Sequence, residues 1–192
     1  MKRIEEVYRE ILFQSMEKKK NNLTQSYLAN ALNISLSGIN LALNPLKSMG
    51  AVRINQRNFD VIDKKKILYY WASARNIEKD IVYKTRVEKK ISKIESEMPS
   101  NVTYGAYSAY KFRFNDVPAD YSEVYVYSDD IEEIEKRFPK NNKQPNLFVL
   151  KKDTNMKEIT VAQIFVDLWN LKEWYAKDFL KAMEKKINGL LE

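Results

Sequence analysis

The sequence predicts an α+β chain with three parts: an N-terminal unit of three short helices and a hairpin, a long linker helix, and a small mixed α/β domain at the C-terminal end. Three observations carry this. Apolar residues recur at three- and four-residue spacing through the first fifty positions and again after residue 63. Two short β-rich runs flank the polar turn Asn55-Gln56-Arg57-Asn58. From Val102 onward, strand-like and helix-like segments alternate, as they do in an α+β domain with a small sheet.

Composition bounds the function classes. At 192 residues, 44% hydrophobic and 31% charged, the chain is of the globular class, with room for one large domain or two small ones. No apolar run approaches the ~20 residues of a membrane span, so a cytoplasmic protein with no membrane contact is expected. Zero Cys removes thiol catalysis, disulfides and Cys-based zinc sites; zero His removes imidazole acid–base chemistry and most transition-metal sites. No metal and no cofactor are expected.

The net charge of +7, from 33 Lys and Arg against 26 Asp and Glu, is unevenly spread. Residues 1–98 carry 19 against 11, and residues 99–192 carry 14 against 15. The excess of positive charge in the first part suggests a polyanion-binding module joined to a neutral one. Pro99-Ser100-Asn101 supplies a boundary, because the residue before a proline is biased out of helical geometry. The expected division is therefore 1–63, a linker helix over 64–98, and a C-terminal domain over 99–192.

The elements follow in order. Ile4, Val7, Tyr8, Ile11 and Leu12 lie on one face of a first helix from about Arg3 to Lys18. Thr24 is placed to cap a second helix carrying Leu28 and Leu32, and Ser35 to cap a third whose apolar face is Ile39, Leu43 and Leu46. The opposite face of that third helix holds Ser37, Gly38, Asn40, Asn44 and Lys47, side chains small or polar enough to approach base edges in a major groove. Pro45 predicts a kink or restart within it. Gly50 is placed to close it in the left-handed conformation, and two short strands, 51–54 and 59–62, enclose the polar turn.

A helix-turn-helix followed by a two-stranded hairpin is a winged helix, and residues 1–63 resemble the winged-helix transcription regulators through the run LTQSYLANALNISLSGINLALNPLKSMGAV. That resemblance implies a third helix reading the major groove of double-stranded DNA. Ser35, Ser37, Asn40 and Asn44 would then face bases, and Thr24, Gln25 and Lys47 phosphates. Arg53, with Gln56, Arg57 and Asn58 of the wing, would meet the adjoining groove or backbone. Asn pairs with adenine in bidentate fashion, and hydroxyls reach bases or phosphates. A homodimer on a palindrome is the expected assembly. The alternatives are a winged helix that serves as a protein-interaction module, and a polar face that is only solvated.

Beyond it, Asp63 is placed to cap the linker helix, whose stripe of Ile67, Trp71, Ala74, Ile77, Ile81, Val87, Ile91, Ile94 and Met98 predicts about nine turns. This helix is a connecting spine, or a dimer interface. The C-terminal domain then reads as a strand near Val102, a glycine turn at Gly105, a short helix, a strand over 121–127, a helix headed by Asp129 or Asp130, and a strand over 146–150. A helix capped by Thr160 and a final helix over about 172–190 complete it.

This order resembles the minimal nucleotidyltransferase fold, whose motif is a Gly-Ser turn, a strand bearing Asp-x-Asp, and a later strand bearing a third carboxylate. Here Gly105 is followed by Ala106, the strand reads Glu123-Val124-Tyr125, and residues 147–150 carry no acid. Metal-dependent transfer needs those carboxylates, so the resemblance implies a domain that has lost its chemistry, with no catalytic residues and at most one metal ligand, Glu123. The two domains together are similar to AbiEi-type antitoxins, which implies a DNA-binding repressor in the leading reading. In the alternative reading the chain is an antitoxin that neutralises a nucleotidyltransferase-like toxin through its C-terminal domain, with DNA binding for autoregulation. Tyr104, Tyr107, Tyr110, Tyr121, Tyr125 and Tyr127 either line a ligand pocket or, as the simpler expectation, pack in a half-buried sheet. Asp167 reads as a surface acid on its helix.

Overall fold

In a computed structural model, residues 1–191 are described, and they form two compact units. The first comprises Lys2–Arg75 with Thr160–Val166 and the stretch from Glu184 onward; the second comprises Asn76–Ile159 and Asp167–Met183, with Met1. The chain therefore divides at Arg75/Asn76 rather than at Met98–Pro99, and two stretches near its end belong to the first unit. Divided this way, the first unit holds 15 Lys and Arg against 8 Asp and Glu, and the second 18 against 18. All of the net +7 lies in the first unit.

That unit opens with α1 (Arg3–Leu12), which continues as a π-helical turn over Phe13–Glu17. Lys19, at φ +58, reverses the chain into a short strand β1 (Asn22–Leu23). Thr24 caps α2 (Gln25–Leu32) by accepting the Tyr27 N–H at 3.0 Å, and Asn33 ends it in the left-handed conformation. Ser35 caps α3 (Leu36–Ser48) by accepting the Gly38 N–H at 3.2 Å. Gly50, at φ +71, closes the helix, and the Ala51 N–H returns to the Leu46 carbonyl at 2.8 Å.

The helix does not break and restart at Pro45: it runs on to Ser48, and the one bond Pro45 forfeits is offset by Leu43 and Leu46, both fully buried on either side of it. Strands β2 (Val52–Ile54) and β3 (Phe59–Val61) form the expected hairpin, and β1 adds to its free side, so the order is β1-β3-β2, all antiparallel. Asp63 caps α4 (Lys64–Ala74) through the Lys66 N–H at 2.8 Å. Glu5 of α1 and Arg75, just past the end of α4, form a buried ion pair at 3.0 Å, and the Trp71 indole N–H donates to the same carboxylate at 3.2 Å. The Val161 N–H donates to Glu17 at 2.8 Å, and Tyr69 packs edge-on against Phe165, which ties the later stretch to this core.

The continuous linker helix over 64–98 is not present. After Arg75, which leaves helical geometry at ψ 145, the chain makes a 3-10 turn (Ile77–Asp80), a strand β4 (Ile81–Thr85) and a short helix α5 (Ile91–Ser96). Ile81, Val82 and Thr85 are β-branched and lose side-chain freedom in a helix, and Tyr83, Thr85 and Val87 alternate into the core as a strand requires. The spacing that suggested nine turns of helix was shared by two different periods.

The rest of the second unit follows the expected order. It contains β5 (Thr103–Tyr104), α6 (Ala106–Phe114), β6 (Val124–Ser128), α7 (Ile131–Arg137) and β7 (Leu147–Lys151). Asp130 rather than Asp129 caps α7, through the Glu133 N–H at 3.1 Å. The sheet order is β4-β7-β6-β5, with β6 and β7 parallel and the outer pairs antiparallel. One sheet face, formed by Tyr83, Val124, Val126, Leu147 and Val149, packs on Ile94, Ile134 and Phe138. Helix α8 (Val161–Trp169) begins after the Thr160 cap, whose hydroxyl accepts the Gln163 N–H at 3.1 Å. The last helix, α9 (Ala176–Leu191), starts four residues later than expected. Among the described residues no helix is long and apolar enough to cross a membrane.

Candidate nucleic-acid interface

Helix α3 turns Ile39, Ala42, Leu43 and Leu46 into the core of the first unit. At 100° per residue this leaves an opposite face on which Ser37, Asn40, Asn44 and Lys47 stack at three- and four-residue intervals, and all four are exposed. No carboxylate lies on α3, and Lys47 is its one charged residue. The sequence therefore identified the polar stripe, including Asn44 and Lys47 on either side of Pro45.

The stripe is flanked by two residues that helical spacing alone did not bring forward. Leu36 is 55% exposed at one margin and Leu41 64% exposed at the other. An amphipathic-helix reading assigns leucines to the core by type; Leu41 is turned well away from Leu43 and Leu46, whereas Leu36 lies close to Leu43 in angle and is exposed at the first position of the helix.

Other expected contact residues are held in local structure. The hydroxyl of Ser35 caps α3 and lies 3.0 Å from that of Ser37, and the hydroxyl of Thr24 caps α2. Both remain on the surface at a helix N-terminus, with Gln25 half-buried beside Thr24. Gly38 cannot be enlarged freely, because a Cβ there would stand 2.8 Å from Ile34 Cγ2. In the hairpin, Gln56 and Arg57 are exposed at the tip, and Arg57 makes no ion pair among the described residues. Asn58 is half-buried and accepts from the Asn55 amide at 2.8 Å.

Arg53 is exposed but paired with Asp60 at 3.0 Å. Asp60 collects two further donors, the Asn22 amide at 2.6 Å and the Asn55 amide at 3.0 Å. These amide bonds, with the Arg53 guanidinium, hold its carboxyl down to about 2. Asp60 thus ties all three strands together and fixes Arg53 against the sheet. The four-residue turn sets this register, with Arg53 opposite Asp60, so the pair was available to sequence reasoning.

The second unit offers a different surface. Gly105 sits in close packing: a Cβ there would meet the Tyr127 ring at 3.1 Å and Asp167 Oδ2 at 3.3 Å, so those neighbours would have to give way. The Gly105 N–H donates to the Tyr125 carbonyl, and Tyr125 lies in register with Phe148, their rings stacked at 4.7 Å. Lys84 on β4 stands opposite Phe148, so a row of Tyr125, Phe148 and Lys84 crosses β6, β7 and β4, with Gly105 just past the end of β5 beside it. A groove of about 600 Å³ opens beside this row, lined also by Glu78, Lys140 and Glu173.

Most of the tyrosines bond to carboxylates inside the unit rather than lining that groove. Tyr107 and Tyr125 donate to Glu173 at 2.9 and 3.3 Å, Tyr110 to Asp116, and Tyr121 to Glu95. Tyr104 donates to the Glu95 carbonyl. Tyr127 donates to both oxygens of Asp167 at 2.8 Å, and Asp167 is fully buried, not the surface acid that its helical position suggested. Helix α8 is enclosed along its length as far as Leu168, which its sequence, apolar at nearly every position, foreshadows.

Glu123 accepts a hydrogen bond from Tyr175 and faces Glu173. Burial first, and then the Glu173 charge, push its carboxyl up to about 7, against a smaller opposing effect of the Ser122 N–H. Among the described residues no group of three or more Asp or Glu side chains is disposed to hold a metal ion. On the same unit Trp174 is 76% exposed and Trp169 40% exposed, beside a hollow lined by Leu171 and Leu180. Compared with protein-family models, with curated proteins and with solved structures, the chain matches none.

Proposed function

We propose that the chain is a sequence-specific double-stranded DNA-binding transcription regulator, a repressor that acts in the cytoplasm as a homodimer. The observation that carries this reading is the exposed stripe of Ser37, Asn40, Asn44 and Lys47 on α3, in the unit that holds the whole net charge of +7. The order α1-β1-α2-α3-β2-β3 is that of a winged helix, in which α3 enters the major groove and the Gln56-Arg57 tip meets the adjoining groove or backbone. Asn40 and Asn44 supply bidentate readout, and Lys47 with Arg57 supplies phosphate or groove contact. One such helix spans only a few base pairs, which is why two half-sites and a dimer belong to the proposal.

The second unit is, in this reading, a relative of the nucleotidyltransferase fold that binds rather than catalyses. Where that family carries the second Asp of Asp-x-Asp this chain has Tyr125, and the later strand, residues 147–150, carries no acid; Tyr125 stacks on Phe148 of that strand. Aromatic rings do not hold the two magnesium ions such chemistry requires. The exposed Trp174, beside Trp169, favours a second role here as a protein-binding surface, consistent with an antitoxin that occupies a partner.

The test is footprinting on DNA upstream of the protein's own gene, with wild type, Asn40→Ala and Arg57→Ala. Protection is expected for wild type and weakened for both variants. Neutralising ~6 phosphates in a dimer implies a roughly 1000-fold loss of affinity between 50 and 200 mM salt. Protection indifferent to both substitutions, or a flat salt response, refutes the reading head.

A further inference from the structure

We infer that the α3 face selects A·T base pairs, with Leu36 and Leu41 reading thymine methyl groups beside the asparagines that read adenine. This deepens the DNA-binding reading and rests on it. The argument starts from the inventory of the exposed face: Leu36, Ser37, Asn40, Leu41, Asn44, Lys47 and Ser48.

In the major groove each base pair shows a distinct edge. Guanine, with two acceptors, is read by Arg or Lys; cytosine, with its amino donor, by Asp or Glu; adenine, with a donor and an acceptor, by Asn or Gln; and thymine by apolar contact with its methyl group. The α3 face has no arginine and no acid, and its single lysine lies in the last turn, where a helix entering by its N-terminal end meets phosphate rather than bases. The face therefore lacks the groups that read G·C pairs and holds those that read A·T pairs.

The leucines supply an independent observation. Every other leucine of α3 is buried, while Leu36 and Leu41 are more than half open to water. At 100° per residue they bracket Asn40, one at each edge of the polar stripe, within reach of the base pairs on either side of any adenine that Asn40 contacts. Among the base edges of the major groove, the apolar group that such marginal leucines can distinguish is the thymine methyl. The hairpin tip agrees with this selection, since Arg57 carries no ion pair among the described residues and A·T-rich tracts present the narrow minor groove that attracts arginine.

The experiment is selection of the full-length protein on a pool of random 20-base-pair duplexes, followed by anisotropy titrations on the enriched duplex. The titrations compare that duplex with the same duplex bearing uracil for thymine, using wild type, Leu36→Ala and Leu41→Ala. Both leucines are exposed, so the variants are expected to fold as wild type does by circular dichroism. The expected motif is A·T in each half-site. Uracil is expected to weaken wild type about 4-fold per methyl contacted, the worth of one buried carbon. Each alanine variant is expected to lose that sensitivity at one thymine.

An enriched motif dominated by G·C pairs overturns the selection while leaving DNA binding intact. So does equal binding to all duplexes, or indifference to uracil. Binding to no duplex at low salt overturns the DNA-binding reading itself, and this inference with it.

Discussion

Replacing Glu123 by Gln is expected to stabilise the protein at pH 8 and to leave it nearly unchanged at pH 5. The Glu123 carboxyl titrates near 7 in the folded chain against an ordinary 4.5, because burial and the Glu173 charge disfavour its ionised form. The folded state therefore holds a proton that the unfolded state has already lost. Stability from this group is full below about pH 4.5, falls as pH rises through 7, and stays low above it. At about 1.4 kcal/mol per pH unit the shift corresponds to about 3 kcal/mol at pH 8, and partial solvent access reduces this to roughly 2 kcal/mol. Glutamine keeps an acceptor for the Tyr175 hydroxyl and has nothing to ionise.

The assay is urea denaturation of wild type and Glu123→Gln at pH 5, 6, 7 and 8. The chain suits it because it contains no His, so no other side-chain type has an ordinary pKa in that window. The difference between the two proteins is expected to grow by about 2 kcal/mol across the series, with its midpoint between pH 5.5 and 7. A difference that stays constant with pH refutes the burial and charge argument for this site.

Three further substitutions test the architecture. Glu5→Ala takes the Glu5 carboxylate from the buried Arg75 guanidinium, and a loss of about 3 to 5 kcal/mol is expected in urea denaturation; a loss below 1 kcal/mol contradicts a buried pair. Gly38→Ala places a methyl group 2.8 Å from Ile34 Cγ2 and is expected to cost about 1 to 2 kcal/mol in spite of the better helix propensity of alanine. Repeating it in an Ile34→Ala background should remove the penalty, and persistence of the loss there points away from the contact. Tyr127→Phe takes from the fully buried Asp167 the one hydroxyl proton shared between its two oxygens, each 2.8 Å away, for an expected cost of about 1 to 3 kcal/mol and a melting temperature lowered by several degrees; an unchanged melting curve rejects that account.

The parts of the fold that were legible are those determined by neighbours in sequence. Thr24, Ser35, Asp63 and Thr160 each cap the helix they precede, and Gly50 takes the left-handed conformation its position demanded, because a cap is a contact across three residues. The hairpin and its register were legible for the same reason. What the sequence hid were long-range choices. Residues 81–85 form a strand because β7, more than sixty positions later, supplies an edge to pair with, and no local period reveals that partner. Likewise β1 is visible only once Asp60 is known to stand opposite Asn22. Asp167 looked like a solvated acid until Tyr127, forty residues away, provided its bonds.

The exposed polar stripe of α3 was more legible than the fold around it, and the reason bears on the proposed function. A face that meets a partner is not fixed by packing within its own chain, so its residues answer only to the local helix and to what lies outside. On α3 the buried positions could be exchanged among Ile, Leu and Ala with little change of meaning, but Asn40 and Asn44 sit where the fold asks nothing of them. The same reasoning applies to Leu36 and Leu41. A leucine spent at an exposed margin does not stabilise the folded chain, and the unit could hold a polar residue at either place. Two asparagines and two leucines on one solvent-facing stripe, in the unit that carries the whole net positive charge, are what the proposed reading rests on: a groove anionic at its walls, with adenine edges and thymine methyl groups on its floor.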